Sequence, residues 1–244
     1  MTRRSDISIL ERELRGIFAD RLLSLIAYAL HAAKPSAPSD AHHMPHAAPT
    51  QTLAIVASIS AADLTACANR VGAWHDLGFA TPLVLTSREF DQSFDAFPLE
   101  FSAMLADHDV AAGRDPFDGK TIDVRDVRRA CEVQARSHLL HLREGFLETR
   151  GNHHALAVLI VRSAAPFAAL LTSVARLRGL ETHDAAAAGR HAERELKVPP
   201  GVLTDVVALA HVTEISAVEA VRIFPAYLDA AERLVEYVNG WSAE

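Results

Sequence analysis

The sequence predicts an α+β protein in which a small α/β half is followed by a helical half of similar size. Short apolar runs typical of strands occur only up to about residue 113. From about residue 121, apolar residues recur at the three- and four-residue spacing of helices. A chain of 244 residues is long enough for two domains, and we place them at 1–120 and 121–244.

The first elements of the α/β half are predicted to be a helix and two strands separated by a loop. Apolar residues at helical spacing predict a helix capped at Ser5 or Asp6. The run 22–30 fits a buried strand or a continuing helix by periodicity alone, and we favour the strand. Four prolines predict a flexible loop at 31–50, and the apolar run 52–57 predicts the second strand.

The rest of the α/β half alternates helix and strand signals. Ser60 followed three residues later by Asp63 is the pattern of a helix N-cap, and Gly78 is expected to end that helix. Further strands are predicted at 81–86, 97–105 and 109–112. The glycine and proline of 113–116 predict a turn that closes this half.

The helical half is predicted to contain four long helical segments. They lie at 123–148, 153–178, 200–212 and 217–240. Pro166 and Pro225 are expected to interrupt the second and the fourth of them. The stretch 181–198 is rich in alanine, histidine and arginine, and we expect a looser link there.

Composition disfavours several functional classes. The chain has 24 Lys and Arg against 31 Asp and Glu, a formal charge of −7, and the lack of a net basic field disfavours nucleic-acid binding. Cys67 and Cys131 are too few and too far apart for a disulfide framework, which favours a reducing compartment. The apolar run 22–33 is shorter than the roughly 20 residues that span a bilayer. We therefore expect a cytoplasmic protein with no membrane partner.

The helix predicted at 123–148 carries a charged row beside its apolar face. Arg128, Glu132, Arg136 and Arg143 fall together on one side. Such a row either faces a cleft or an internal ion-pair network, or forms a solvent-facing ladder, and the sequence leaves both open. If the row faces a cleft, its arginines would anchor an anionic ligand, because guanidinium groups bind phosphate or carboxylate through two donors. These four residues are the predicted ligand-binding candidates.

Several segments resemble a known family. They are TPLVLTSREFDQSFDAFPLEF (81–101), GRDPFDG (113–119), VRRACEVQARSHLLHLREGFL (127–147) and YLDAAERLVEYVNGW (227–241). With the order of elements, they resemble a bacterial group of nucleotidyltransferase-like proteins of the polymerase-beta superfamily. The resemblance implies an N-terminal nucleotidyltransferase-like α/β domain with a small mixed sheet, followed by a C-terminal helical bundle.

The same resemblance implies an active site that this sequence does not complete. The superfamily binds phosphate at a Gly-Ser turn after its first strand, where this chain has Ala29 and Leu30. Its paired metal-binding carboxylates begin the next strand, where this chain has Thr50 and Thr52, and hydroxyls are weak ligands for Mg²⁺. Glu100 stands in the place of the third acid, as a remnant metal ligand or as a partner for an arginine of the charged row.

Residues in the predicted loop offer a second metal hypothesis. His42, His43 and His46, with Asp40 nearby, have side chains that ligate metals. Alanine and proline spacing gives them no fixed framework, so we favour a solvated loop and expect no metal site. No cofactor is expected, and Mg²⁺ only if the chain is an active transferase.

These observations give one leading functional hypothesis and two alternatives. The leading one is a degenerate nucleotidyltransferase-fold protein that binds a nucleotide, another phosphate ligand or a protein without metal-dependent nucleotidyl transfer. The first alternative is an active nucleotidyltransferase that modifies a small molecule or a protein. The second is a structural subunit that forms homo-oligomers through its helical half.

Overall fold

The structure is a computed structural model that describes residues 2–30 and 49–241, with the backbone alone for 2–5. The chain divides into two compact units, Met1–Ile122 and Asp123–Glu244. The first holds a small four-stranded mixed sheet, and the described residues of the second are helical or lie in connections. The predicted α+β class with a helical C-terminal part is therefore confirmed.

The α/β unit alternates short helices with the strands of its sheet. Its elements are α1 (Thr2–Phe18), the 3-10 turn Ala19–Arg21, β1 (Leu22–Tyr28), β2 (Gln51–Val56), α2 (Ala61–Ala68), α3 (Val71–Asp76), β3 (Leu83–Thr86), α4 (Ser87–Ala96), α5 (Pro98–Ala106) and β4 (His108–Gly113). The apolar run at 22–30, ambiguous by periodicity, is a strand.

The sheet has the strand order β3-β2-β1-β4. β1 is antiparallel to both of its neighbours, β2 and β4, whereas β2 and β3 are parallel. Alternate residues of β1 face different helices: Leu25 packs with Leu14 of α1, and Ile26 packs with Phe101 of α5. The sheet therefore has a core on each face, which explains the nearly continuous apolar sequence of its central strands.

The predicted strand at 97–105 is wrong, because this segment is α5. Pro98 occupies the first helical position, where its missing N–H costs nothing, and Phe101 and Met104 follow it on the buried face at helical spacing. The preceding helix, α4, begins at a capping box formed by Thr86 and Glu89. The Thr-x-x-Glu pattern of that box was a readable signal for a helix before 97.

The helical unit contains five helices in its described residues. They are α6 (Val124–Glu148), α7 (His153–Leu177), α8 (Ala185–Leu196), α9 (Val202–Ala208), which continues as a 3-10 turn (Leu209–His211), and α10 (Ala217–Gly240). The predicted loose link at 181–198 is wrong, since α8 occupies most of it. Asp184 caps α8, and Ala188 and Ala192 bury one face of it.

The expected interruptions at Pro166 and Pro225 are also wrong. Each proline lies inside a continuous helix, α7 or α10. Both prolines are exposed, so the carbonyl group that each leaves without a helical partner is on the solvent side. Packing of the opposite face holds both helices together across the proline.

Among the described residues, α7 is long and apolar enough to cross a membrane by length and composition. Half of its most apolar window is buried inside the helical unit. A core helix of a folded domain has the same composition, so this observation is weak support for a membrane span.

Candidate functional site

The residues that the resemblance places in the phosphate turn and the carboxylate pair lie at one end of the sheet. Ala29 adopts a left-handed conformation with φ of 54°, and its N–H donates to the carbonyl oxygen of Asp107 at 3.1 Å. Thr50 pairs with Phe79 as an isolated bridge just before β2 begins. Tyr28 at the end of β1 pairs with Gln51 at the start of β2, so the positions after β1 and before β2 lie close together.

Thr50 and Thr52 do not fit the pair of Mg²⁺ ions that the resemblance implies. Thr52 is only 1% exposed, and its hydroxyl has no hydrogen-bond partner. A buried hydroxyl cannot replace an ionised carboxylate, since it carries no charge and binds hard cations weakly. In the described part of the chain, no three His, Cys, Asp or Glu side chains lie close enough to hold a metal.

A cavity of about 560 Å³ opens at the same end of the sheet, between α1 and strands β1 and β4. Its apolar wall includes Ile7, Ala27, Leu30, Leu77, Phe79 and Val110. Its polar rim consists of Asp6, Ser8, Glu11, Thr50 and Asp109. Leu30 and Thr50, which the resemblance places at the phosphate turn and the carboxylate pair, thus line one cavity.

Glu100 is not on a strand, contrary to the sequence prediction. It lies in the first turn of α5, where its side chain is exposed. The nearby Asp95 is exposed at the end of α4. Neither carboxylate is among the lining residues of the cavity. The two acids therefore share a surface segment of the α/β unit rather than a sheet edge.

The charged row of α6 lies along the seam between α6 and α10. The Glu132 carboxylate is 4.0 Å from Arg128 and 3.2 Å from Arg136. Arg136 also donates to the Asn239 side chain at 2.9 Å. Arg143 reaches Glu232 of α10 at 2.7 Å. The row is thus a partly exposed network that links two helices, and its role in ligand binding stays a prediction.

The histidines and Asp40 of the predicted loop lie outside the described residues. That His42, His43 and His46 lie in a solvated loop without a metal therefore stays a prediction, as does the flexibility of that loop.

Sequence reasoning missed an ion pair that joins three segments of the α/β unit. Arg21 donates to both carboxylate oxygens of Asp63, at 2.7 and 2.8 Å, and also to the carbonyl oxygens of Ile17 and Ser58. The Arg21 guanidinium, helped by Ser60, holds the pKa of Asp63 well below its usual value. The capping pattern at Ser60 was readable, but no local signal pointed to Arg21.

A chain of hydrogen bonds crosses the core of the helical unit. The Tyr227 hydroxyl donates to Ser163 Oγ at 3.1 Å, and Ser163 donates to the Ile160 carbonyl at 2.9 Å. His138 Nε2 lies 2.8 Å from the same Tyr227 oxygen, so this nitrogen must carry the hydrogen. Burial, with a smaller effect of His141, lowers the pKa of His138 to about 4. The chain therefore links α6, α7 and α10 through a neutral histidine.

In comparisons with known proteins, no family model matches the chain, and no curated protein matches it.

Proposed function

We propose that this chain is a nucleotidyltransferase-like protein that has lost two-metal nucleotidyl transfer and binds a small molecule in the cavity beside α1. The observation that carries the proposal is the chemistry of Thr50 and Thr52, which place hydroxyls where the resembled family has carboxylates. The cavity of about 560 Å³ at this end of the sheet has the size of a small-molecule site. Its apolar wall and short polar rim are typical of such sites.

The loss of transfer chemistry is tested by pyrophosphate release. The purified chain, ATP and Mg²⁺ or Mn²⁺ are incubated with small amines, alcohols and protein acceptors, and pyrophosphate is measured. We expect no metal-dependent release above the protein-free reaction. Release that is abolished by Glu100→Ala but retained by Asp95→Ala would instead establish the active transferase. Both carboxylates are exposed, so loss of activity in only one variant would identify that residue as a catalytic acid.

The binding function is tested with a variant that fills the cavity. Val110 lines it from β4 and is 40% exposed, so Val110→Trp adds volume without disturbing a buried position. Small molecules selected by ligand-observed NMR should lose their binding signal with this variant. Leu64→Trp, at an exposed position on α2 outside the cavity lining, is the matched control and should keep it. Equal binding to both variants would contradict a site in this cavity.

A second candidate function, self-association, has its own observation in the helical unit. Val133, Leu140 and Leu147 on α6 are 62%, 62% and 75% exposed and follow one another at seven-residue intervals. Exposed apolar residues at this spacing are typical of a helix seam that pairs with a second copy. Light scattering over a range of concentrations should show a dimer that Leu140→Glu dissociates. A monomer at all concentrations would contradict self-association.

A further inference from the structure

The outward face of α6 carries one row of apolar residues. Val133, Leu140 and Leu147 lie on it at seven-residue intervals, and each is more than half exposed. Seven residues make nearly two helical turns, so successive members of the row are displaced by only about 20° around the helix. This apolar row therefore runs almost along the helix axis, where a second helix can contact all three side chains.

Charged residues of opposite sign flank the apolar row. At about 100° per residue, arginines project on one side of the row and carboxylates on the other. The basic flank consists of Arg125, Arg129, Arg136 and Arg143, and the acidic flank consists of Asp126, Glu144 and Glu148. The outward face of α6 is thus divided lengthwise into a basic side, an apolar centre and an acidic side.

Charges on both flanks are available to a partner. Arg129 is exposed and has no hydrogen bond or ion pair with the described residues. The Glu144 carboxylate is 74% exposed, and its contact within the described part of the chain is His141, 3.4 Å away. Arg136 and Arg143, in contrast, each contact a glutamate already. The basic flank therefore keeps an unpaired cation, and the acidic flank keeps a carboxylate that no lysine or arginine of the described residues contacts.

The two flanks decide the direction in which a second copy of α6 can pair. When two helices pair in parallel, each flank of one helix faces the opposite flank of the other, as the e and g positions do in a parallel coiled coil. In an antiparallel pair each flank faces its own counterpart, so arginines would meet arginines and carboxylates would meet carboxylates. Because juxtaposed like charges are unfavourable, the flanks of α6 favour the parallel pair.

We propose that two copies of the chain pair through α6 in parallel, with the twofold axis along the seam between the two helices. Each member of the apolar row then packs on the same residue of the partner. Side chains on a helix lean towards its N-terminus, so Arg129 reaches the partner's Asp126, about one turn before it. This inference rests on the self-association proposed above and names the orientation and register of that contact.

Single cysteines test the orientation. In a parallel pair each position of the apolar row lies next to itself, so Val133→Cys and Leu147→Cys should both form disulfide-linked dimers under mild oxidation. In an antiparallel pair at most one position of the row can meet itself. Gln134→Cys, at an exposed position about 100° away from the row, is the control and should stay monomeric on a non-reducing gel. The natural Cys67 and Cys131 are buried and should not cross-link.

A charge reversal tests the basis of the orientation. Arg129→Glu places like charges at two symmetric contacts of the parallel dimer and should raise its dissociation constant about tenfold, the equivalent of about 1.4 kcal/mol. Asp126→Arg in the same chain restores opposite charges across the seam and should recover most of the affinity. Arg194→Glu makes the same charge change at an exposed position of α8, which packs against α7, α9 and α10, and should leave the constant unchanged. Analytical ultracentrifugation at low salt measures all three.

The outcomes separate the orientation from self-association itself. A monomer at all concentrations would overturn both, and would leave the apolar row to a partner of another sequence. A dimer that Leu140→Glu dissociates, but in which Val133→Cys or Leu147→Cys fails to cross-link, would retain self-association and overturn the parallel pair. An unchanged dissociation constant in Arg129→Glu would overturn the assignment of the orientation to the two flanks.

Discussion

The α/β unit and the helical unit use buried polar groups differently. In the helical unit, His138, Tyr227 and Ser163 satisfy one another across three helices. In the α/β unit, the buried Thr52 hydroxyl has no partner among the described residues. Satisfied networks stabilise a single packing, whereas a buried polar group without a partner costs stability. We therefore expect loss of a polar group to destabilise the helical unit and loss of the Thr52 hydroxyl to stabilise the α/β unit.

The largest effect is expected where an added side chain would enter the close approach between β1 and β4. Gly113 has φ of 79°, and a Cβ there would collide with the Leu23 backbone across the β1–β4 pair. Gly113→Ala should lower the free energy of unfolding of this unit by about 3 kcal/mol or more, from strain and loss of pairing. Trp74 fluorescence reports this unit in a Trp241→Phe background. Gly72→Ala, with open space around its Cβ, is the control and should not destabilise.

Acid should destabilise the helical unit at a higher pH than the α/β unit. The folded helical unit holds the pKa of His138 at about 4, below its ordinary 6.5, so the unfolded chain takes up the proton first. Stability of this unit is full above pH 6.5 and should fall by about 3 kcal/mol as the pH drops to 4. Asp63 has its pKa below 3.8, so its contribution to the α/β unit is lost only below that pH.

Urea unfolding at pH 7 and 4.5, followed through Trp241 in a Trp74→Phe background, measures this loss. His138→Gln keeps a donor for Tyr227 and should flatten the pH profile, while His141→Gln, at an exposed position, should keep most of it. A profile unchanged by His138→Gln would show that another group dominates the acid response.

Removal of one hydroxyl tests the polar chain itself. Tyr227→Phe leaves His138 Nε2 and Ser163 without their shared partner and should cost the helical unit about 1–2 kcal/mol in unfolding free energy. Tyr237→Phe removes an exposed hydrogen bond to Glu195 and is the control, with an effect below about 0.5 kcal/mol. Equal costs in both variants, measured by urea unfolding, would contradict a special role of the buried chain.

In the α/β unit, removal of one hydroxyl is expected to raise the free energy of unfolding instead of lowering it. Thr52→Val replaces an unsatisfied buried hydroxyl by a methyl group of similar size and should stabilise this unit by about 1 kcal/mol. Thermal unfolding of the ligand-free protein measures the change. Thr65→Val, which loses an exposed hydrogen bond to Ala61, should not stabilise. A destabilised Thr52→Val protein would show that the hydroxyl has a structural partner.

The smallest effect concerns the arginines of α6. Arg143 and Glu232 are about half exposed, so their coupling should be about 0.5 kcal/mol. A double-mutant cycle with Arg143→Gln and Glu232→Gln measures it by urea unfolding. A coupling near zero together with weaker binding of inorganic phosphate in Arg143→Gln would favour an anion site over a link between helices.

Local signals explain which parts of the fold were predictable. The capping pattern Ser60–Asp63 and the long periodic stretches of α6 and α7 specify structure within a few turns, so the start of α2 and the bounds of α6 and α7 were predicted closely. The single helix expected from Ser60 to Gly78 is wrong, because two helices, α2 and α3, occupy this segment. The run at 97–105 was short and apolar, and periodicity does not separate strand from helix at that length. Pro98 and the preceding Thr86–Glu89 box would have resolved it. At α8, the buried face consists largely of small residues, which give no clear apolar periodicity, so the segment was predicted to be a loose link.

The candidate site was less predictable because its parts are distant in sequence. The cavity is lined from α1, from the strand ends around Leu30 and Thr50, and from Asp109 on β4, which are separated by up to about a hundred residues. The resemblance directed attention to Leu30 and Thr50, but it gave no reason to group Asp6 or Asp109 with them. The arginines, predicted as ligand anchors, had partners on α10 that no spacing rule connects to α6.

The amino-acid sequence alone determined the division into an α+β part and a helical part, and it set threonines at positions 50 and 52. These properties depend on composition and on contacts within a few residues. Only the tertiary structure decided which carboxylates share a cavity, which hydroxyl is left without a partner and which arginines are already engaged. Such properties arise when strands and helices far apart in the chain pack together, and each local segment is compatible with many such arrangements.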